Sequence, residues 1–322
     1  MKVVVIGSGI VGSAIAFHLA SLGMAVEVWE ALPQAGLGAT GAALGILMAV
    51  SSAKTKGKTA QLRLDSLAIY EQWLPLLERM TGRKVLRHRG IFCVPHDRAL
   101  WQQLSGVRAA QGYPLQPQSV WGLEGFFSAA DRVVHPLNLL WALIESAALL
   151  GAKFHWGRKL VRGEVPPADR VVISSGLGSS SLVNLPLQAV GGQCVTVEAK
   201  HLEGLPATHI VDDLGDFNIV PLGNSRFSIG ATVEFNPTVL PRAENERHLL
   251  DRAAVYLPQF QQAKVVESWA NYRPRPIGRS APVIEFLPDR SDWIVASGHY
   301  RNGILLAPIT AQIVGEMIFS LA

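Results

Sequence analysis

The residues Gly7-Ser8-Gly9-Ile10-Val11-Gly12 have the types and spacing of a loop that binds the pyrophosphate of a dinucleotide. In such a loop Gly7 makes a tight turn, Gly9 lets the phosphates approach the backbone, and Gly12 lets a helix pack closely on a strand. The N-terminus of that helix offers free N–H groups and a positive dipole end. The pattern predicts dinucleotide binding, with a structural glycine turn as the alternative.

The residues around this loop supply the strand–loop–helix–strand context that the motif requires. Residues 3–6 are a continuous apolar run, typical of a buried parallel strand, and apolar residues then recur at helical spacing over 14–22. A second strand over 25–29 ends on Glu30, eighteen residues after Gly12. Its carboxylate is positioned to accept hydrogen bonds from an adenosine ribose and would repel a 2′-phosphate, which disfavours NADP.

Three later segments could also contact a ligand. The glycine- and alanine-rich stretch 36–47 either lets a flat ligand approach the backbone or packs a loop on a helix. A strand starting at 170 ends on Ser175-Gly176-Leu177-Gly178, and the loop 298–303 opens the last helix, so its N–H groups would face a cleft. Arg273 lies in an apolar context, where its planar fork could bind a carboxylate or form a structural ion pair.

The composition excludes several classes of protein. With 322 residues, 49% of them hydrophobic, the chain can form one or two domains with a large core. The net charge is +4, but the 29 basic residues are scattered, so no nucleic-acid surface is predicted. The nine histidines show no metal-binding spacing, and two distant cysteines indicate a reducing compartment, here the cytoplasm.

No integral membrane segment is predicted. The strongest apolar stretch, 304–322, contains Pro308, Gln312 and Glu316, so it is predicted to be a buried helix. Elsewhere the pattern predicts helices over 61–79 and 137–151 and strands over 85–95 and 152–156. Short alternating runs over 187–266 predict an antiparallel sheet. The predicted fold class is therefore α/β: a Rossmann-type parallel sheet with a smaller α+β domain, and an active site between them.

The order of these motifs resembles that of FAD-dependent amine oxidases of the D-amino-acid oxidase type, and most closely their bacterial glycine oxidase branch. That branch supplies iminoglycine for the thiazole of thiamine. The likeness covers nearly the whole chain, and its C-terminal part is the more specific. The residues that carry it are Gly7–Gly12 with Glu30, Gly38-Ala39-Thr40 with Gly45, Ser175-Gly176, Tyr272-Arg273-Pro274, and the run His299 to Pro308.

The resemblance implies a discontinuous FAD-binding domain over 1–83, 136–186 and 268–322, with a substrate-binding domain over 84–135 and 187–267. It places the isoalloxazine ring near 41–45, with the pyrimidine end at the start of the last helix. A lack of cysteine near Gly298 implies non-covalent flavin. The FAD-binding residues it implies are Gly7, Gly9, Ile10, Val11, Gly12, Glu30, Ala39, Thr40, Gly41, Ala43, Gly45, Ile46, Leu160, Val161, Ser175, Gly176, Gly178, Arg273, Arg301, Asn302, Gly303 and Ile304.

The implied reaction is oxidative deamination of glycine or another small amino acid. Hydride passes from the α-carbon to flavin N5, the product is an imine, and O2 reoxidises the flavin to give H2O2. Arg273 is implied as the carboxylate clamp, and Arg301 as a second catalytic residue near the flavin. Tyr272 either lends its hydroxyl or is a packed aromatic residue.

Some positions depart from the glycine oxidase pattern. Phe217-Asn218 stands where a tyrosine would reach the substrate, and Val233 stands where a longer side chain lines the pocket. The segment 159–169 is short, and Arg273-Pro274-Arg275-Pro276 replaces a turn richer in glycine. The alternatives are therefore a D-amino-acid or secondary-amine dehydrogenase with another electron acceptor, and a flavin-binding redox sensor without turnover. The oligomeric state is left open, a homo-oligomer being one alternative.

Overall fold

Both sheet types expected from the sequence are present in the computed structural model, which describes residues 1–235 and 240–320. The predicted ranges 187–267 and 268–322 include residues outside that description. The strands, in chain order, are β1 Lys2–Ile6, β2 Ala25–Glu30, β3 Ile46–Leu47, β4 Leu86–Val94, β5 Leu115–Val120, β6 Leu123–Val134, β7 Lys153–Trp156, β8 Arg170–Ile173, β9 Leu187–Glu198, β10 Thr208–Asp212, β11 Gly215–Gly223, β12 Arg226–Gly230, β13 Lys264–Pro276, β14 Val283–Leu287 and β15 Arg290–Ser297.

The helices of the described residues connect these strands and cover their faces. They are α1 Ile10–Ser21, α2 Lys58–Thr81, α3 Arg98–Ala110, α4 Pro136–Leu149, α5 Ser179–Leu182, α6 Ala243–Tyr256 and α7 Gly303–Phe319, with 3₁₀ turns at Gly176–Gly178, Pro258–Gln262 and Tyr300–Asn302. The fold class is confirmed, as are the predicted helices over 61–79 and 137–151, which became α2 and α4.

A six-stranded sheet has the order β14-β15-β8-β1-β2-β7. Every pair in it is parallel except β14 with β15 at one edge. Strand β1 is central because Val3, Val4 and Val5 are fully buried and leave neither face able to meet water. Helices α1, α4 and α7 form one layer on this sheet, since α1 contacts both α4 and α7.

The second sheet has nine strands, in the order β13-β9-β12-β11-β10-β4-β6-β3, with β5 added on β6. It is antiparallel, as predicted, except that β4 and β10 pair in parallel. These two strands are separated by more than a hundred residues, so no short turn forces them to run in opposite directions.

The sheets also show where the predicted ranges need correction. Residues 268–276, assigned to the FAD-binding part, continue β13 and pair with β9 of the nine-stranded sheet. Helix α6 interrupts the strands predicted over 187–266. The sequence did not predict α6 because only Leu249 and Ala253 of this helix are buried, so it has no broad apolar stripe.

The stretch from Tyr300 to Phe319 is long and apolar enough to cross a membrane by length and composition. Its apolar side chains instead pack inside the protein, because α7 lies against both α1 and α2. Leu305, Leu306 and Val314 are almost completely buried there. The segment fits the core helix that the sequence predicts over 304–322, of which the last two residues lie outside the described part.

Candidate functional site

A cavity of about 1280 Å³ lies between the two sheets. One wall is formed by the carboxyl ends of the parallel strands β1, β2, β8 and β15, the edge at which open α/β sheets bind ligands. The opposite wall is formed by β9, β10, β11 and β13 of the other sheet. This volume exceeds the roughly 300–1,000 Å³ of an ordinary small-molecule pocket, so it can hold an extended ligand together with a small one.

The glycine loop after β1 is arranged as the sequence predicts. Gly7 has φ +100°, which other residues rarely adopt, and a Cβ on Gly12 would lie 1.9 Å from the Gly7 carbonyl oxygen. Gly9 begins α1 without any side-chain cap. The Ile10 N–H donates to Thr40 Oγ1 at 3.1 Å. Gly7, Gly9, Ile10, Val11 and Thr40 line the cavity, while Gly12 packs behind the loop.

Glu30 lines the same end of the cavity. Its Oε2 accepts hydrogen bonds from the N–H and the hydroxyl of Ser8, and its Oε1 accepts one from the Leu32 N–H at 2.9 Å. These bonds fix the carboxylate at the end of β2, beside the glycine loop.

The glycine- and alanine-rich stretch 36–47 contains residues that line the cavity and residues that pack within the protein, which are the two alternatives that the sequence left open. Ala39, Ala43 and Ile46 line the cavity, and so does Gly45, at φ +80°. Gly41 does not line it: a Cβ there would lie 1.9 Å from the Gly36 carbonyl oxygen, so Gly41 serves a tight loop contact.

The segments that flank β8 bring most of their predicted residues to the cavity. Leu160 is buried and lines it, as do Ser175, Gly176 and Gly178. Val161 does not: it is 62% exposed, in a surface turn where its N–H donates to the Glu164 side chain.

The start of α7 also borders the cavity. Asn302, Gly303 and Ile304 line it, and the helix has no side-chain N-cap. Free N–H groups and the positive dipole end therefore lie at the cavity wall. The Tyr70 hydroxyl donates to the Ile304 carbonyl at 2.6 Å, and His299 bonds Thr310 at 2.9 Å.

Arg273 lies on β13 and lines the cavity. Its Nη1 donates to the carbonyls of Gly191 at 2.8 Å and Thr232 at 3.1 Å. The guanidinium lies over Gly192, where a Cβ would be 2.1–2.3 Å from its atoms. Among the described residues no carboxylate pairs with it, and Nη2 and Nε have no protein partner. Burial is the main cause that lowers the pKa of Arg273, and the charge of Arg301 acts in the same direction.

Arg301 is held differently. Its two terminal nitrogens donate to the two carboxylate oxygens of Asp216 at 2.9 and 2.6 Å. Burial is the largest single influence and would lower the pKa of Arg301, but the hydrogen bonds and the negative charge of Asp216 together outweigh it, so the pKa is raised. Burial acts in the opposite sense on Asp216, and Arg301 again outweighs it, so the pKa of that carboxyl is lowered. Arg301 lines the cavity as part of an ion pair.

Sequence reasoning did not find His209 and Asp216, which also line the cavity. Asn218, noted only as a departure, lies beside them. The register of β10 and β11 places His209 opposite Asn218, and Nδ1 of His209 donates to Asn218 Oδ1 at 3.0 Å. Burial lowers the pKa of His209, which favours the neutral imidazole. Only the pairing of these strands reveals the cluster. Val233, by contrast, does not line the cavity and is 40% exposed.

The loop between β3 and α2 is held by two buried charges. The Asp131 carboxylate accepts the N–H groups of Ala49, Val50 and Ser51 at 2.8–2.9 Å, and the fully buried Arg108 donates to three carbonyls, those of Ala49, Ser52 and Lys54. Because Ser51 and Ser52 line the cavity, this bonding shapes its wall.

Replacing Asp131 with asparagine should destabilise the protein, because an amide group would present N–H donors to backbone donors. We expect the free energy of unfolding in urea to fall by about 1–3 kcal/mol, as for leaving a buried backbone donor without its acceptor. The matched control is Asp65→Asn on the surface of α2, whose carboxylate contacts Gln61. Equal stability of the two variants would contradict this reading.

Comparison with known proteins identifies the family. The family model described as DAO, FAD dependent oxidoreductase, matches residues 2–317. The chain belongs to this family. It is 29% identical to the glycine oxidase of Bacillus licheniformis, over 98% of this chain and 92% of that protein. The match to the bifunctional protein ThiO/ThiG of Synechocystis is 28%, over 98% of this chain and 51% of that protein.

The solved structures agree. The crystal structure of glycine oxidase from Geobacillus kaustophilus superposes with a TM-score of 0.88 at 28% identity, covering 99% of this chain and 95% of that one. The resemblance drawn from the sequence is thus confirmed, and this member of the DAO family is an FAD-dependent oxidoreductase.

The cavity of this DAO-family enzyme suits FAD. A Cβ on Gly9 would meet only Thr40 Oγ1, at 3.6 Å, so the space in front of the loop is open to a pyrophosphate. The N-terminus of α1 would bind its negative charge, and Glu30 would bind the ribose. The start of α7 would stabilise negative charge on the flavin ring.

Proposed function

We propose that this enzyme oxidises glycine or another small amino acid. The observation that carries the proposal is the unpaired Arg273 guanidinium in a cavity that also suits FAD. Arg273 is partly buried, and a partly buried cation without a carboxylate partner among the described residues is costly unless a ligand supplies one. The likeness to glycine oxidases over nearly the full length supports the same substrate class.

The chain's own residues would hold the substrate in place. Nη1 of Arg273 is fixed by the Gly191 and Thr232 carbonyls, which leaves Nη2 and Nε as the pair of donors for a carboxylate. Asp216 would not repel that carboxylate, because Arg301 neutralises it. FAD, when bound, accepts the hydride from the α-carbon of the amine. The protein's task is therefore to bind and orient the amino acid.

The electron acceptor and the biological setting are part of this proposal. We propose O2 as acceptor, with H2O2 as product, in the cytoplasm. Both described cysteines, Cys93 and Cys194, are free and buried, which fits a reducing compartment. The likeness to the putative thiamine biosynthesis oxidoreductase ThiO of Rhizobium etli, 26% identical over 99% of this chain, supports a role in thiamine biosynthesis.

The test is product formation by the purified protein with bound FAD. With glycine, sarcosine or D-alanine we expect hydrogen peroxide and the matching 2-oxo acid in equal amounts. Flavin reduction by these amines without peroxide, but with turnover on a dye acceptor, would indicate a dehydrogenase instead. No reaction with any small amine, while FAD stays bound, would overturn the proposal.

A further inference from the structure

Arg63 is a cationic residue of the cavity that the proposed reaction does not use. It lies on α2 and lines the same cavity as Arg273. Its Nη1 donates to Ser52 Oγ. Its buried Nε has no hydrogen-bond partner, and no acidic side chain of the described ranges 1–235 and 240–320 forms an ion pair with it.

The position of Arg63 along α2 places it near the start of α7. Ser66 and Tyr70 follow it at the i+3 and i+7 positions of one helix face. Their hydroxyls donate to the carbonyls of Leu305 and Ile304 in the first turn of α7. Arg301 comes just before that turn, and its charge lowers the pKa of Arg63, although burial is the larger cause. Arg301 is therefore within electrostatic reach of both Arg63 and Arg273.

The charges around this end of the cavity do not balance without a ligand. Asp216 forms a bidentate ion pair with Arg301. The charge of Asp131 raises the pKa of Arg108, though burial lowers it more strongly, so these two groups offset each other. Among the residues that the structure describes, the guanidinium groups of Arg63 and Arg273 bond only to neutral partners and form no ion pair with a carboxylate. An amino acid with one carboxylate would neutralise one of them and leave the other.

We propose that Arg63 forms a second anion subsite, and that the preferred substrates are small amines carrying two acidic groups, one for Arg273 and one for Arg63. This inference rests on the proposed function, because it assigns Arg273 to the first carboxylate. It adds the class of substrate: an amino dicarboxylic acid, in place of glycine alone.

Binding of unreactive acids to the wild-type enzyme with bound FAD tests the subsite without turnover. The pairs are acetate with malonate, propionate with succinate, and butyrate with glutarate, with dissociation constants taken from the change in flavin absorbance. In at least one pair we expect the dicarboxylate to bind about 10- to 100-fold more tightly, as for one added charged hydrogen-bonded contact. Equal affinities within all three pairs would overturn the proposal.

Variants assign the preference to Arg63. Arg63→Gln should weaken the preferred dicarboxylate at least about tenfold more than its monocarboxylate partner. Arg63→Lys, which keeps the charge, should retain part of the preference. Lys58→Gln, which removes an exposed charge from the same helix, should retain all of it. A similar loss for both acids in Arg63→Gln would contradict the assignment.

The results also separate this inference from the proposed function. If monocarboxylates bind, and glycine reduces the flavin, but no dicarboxylate binds more tightly, only the second subsite is wrong. If neither series of acids changes the flavin spectrum, and no amine reduces the flavin, both are wrong.

Discussion

Replacing Arg273 with alanine should lower kcat/KM for glycine roughly a hundredfold or more, which corresponds to a loss of about 3 kcal/mol of transition-state stabilisation. We expect this loss chiefly as a higher KM. The guanidinium is fixed on one edge by two carbonyls and has no carboxylate partner among the described residues, so its other donors are left for the substrate. Steady-state kinetics with glycine, at matched FAD content, measures the effect.

Arg275 offers the matched control on the same strand. It is exposed, does not line the cavity, and lies 5.5 Å from the centre of the Phe235 ring. We expect Arg275→Ala to change kcat/KM by less than about threefold, as for a surface substitution. Equal losses in the two variants, or an unchanged kcat/KM in Arg273→Ala, would remove Arg273 from the substrate site.

Replacing Gly9 with valine should abolish FAD retention while leaving the protein folded. Gly9 has ordinary backbone angles, with φ −63°, and its Cβ would meet only Thr40 Oγ1, at 3.6 Å. A branched side chain would therefore fit the protein but fill the space that the pyrophosphate requires. We expect purified Gly9→Val protein to be colourless, with the same circular dichroism as the wild type.

Gly106→Ala is the control, because a Cβ at this position of α3 meets nothing within 4 Å. It should stay yellow with a full complement of FAD. Gly12 is unsuitable for this purpose, since any Cβ there collides with the Gly7 carbonyl and would disturb the fold itself. A yellow Gly9→Val protein would show that the loop after β1 does not carry the pyrophosphate.

The parts that sequence could predict are those in which local pattern and fold coincide. Residues 3–6 are apolar at every position, so they specify a buried strand, and Gly7, Gly9 and Gly12 specify the turn that follows. The amphipathic pattern of α2 and the helical pattern over 137–151, which is α4, were equally informative.

The parts that sequence could not predict depend on distant pairing. His209 and Asn218 become neighbours only through the β10–β11 register, and Asp216 meets Arg301 across 85 positions of the chain. Val161 is a site residue that the resemblance implied but that does not line the cavity. Its neighbour Leu160 is buried, whereas Val161 lies exposed in a surface turn bonded to Glu164. Whether Arg273 has an ion-pair partner was likewise beyond the sequence, because the partner could come from any strand of the other wall.

Anaerobic titration of the purified, FAD-loaded enzyme with small amino acids is the most direct test of the central claim, that one cavity holds FAD and an amino acid bound through Arg273. We predict that glycine or an amino dicarboxylic acid bleaches the flavin absorbance fully, and that Arg273→Ala requires far higher concentrations. Flavin that stays oxidised with every amino acid, or a wild-type protein that takes up no FAD at all, would contradict the account.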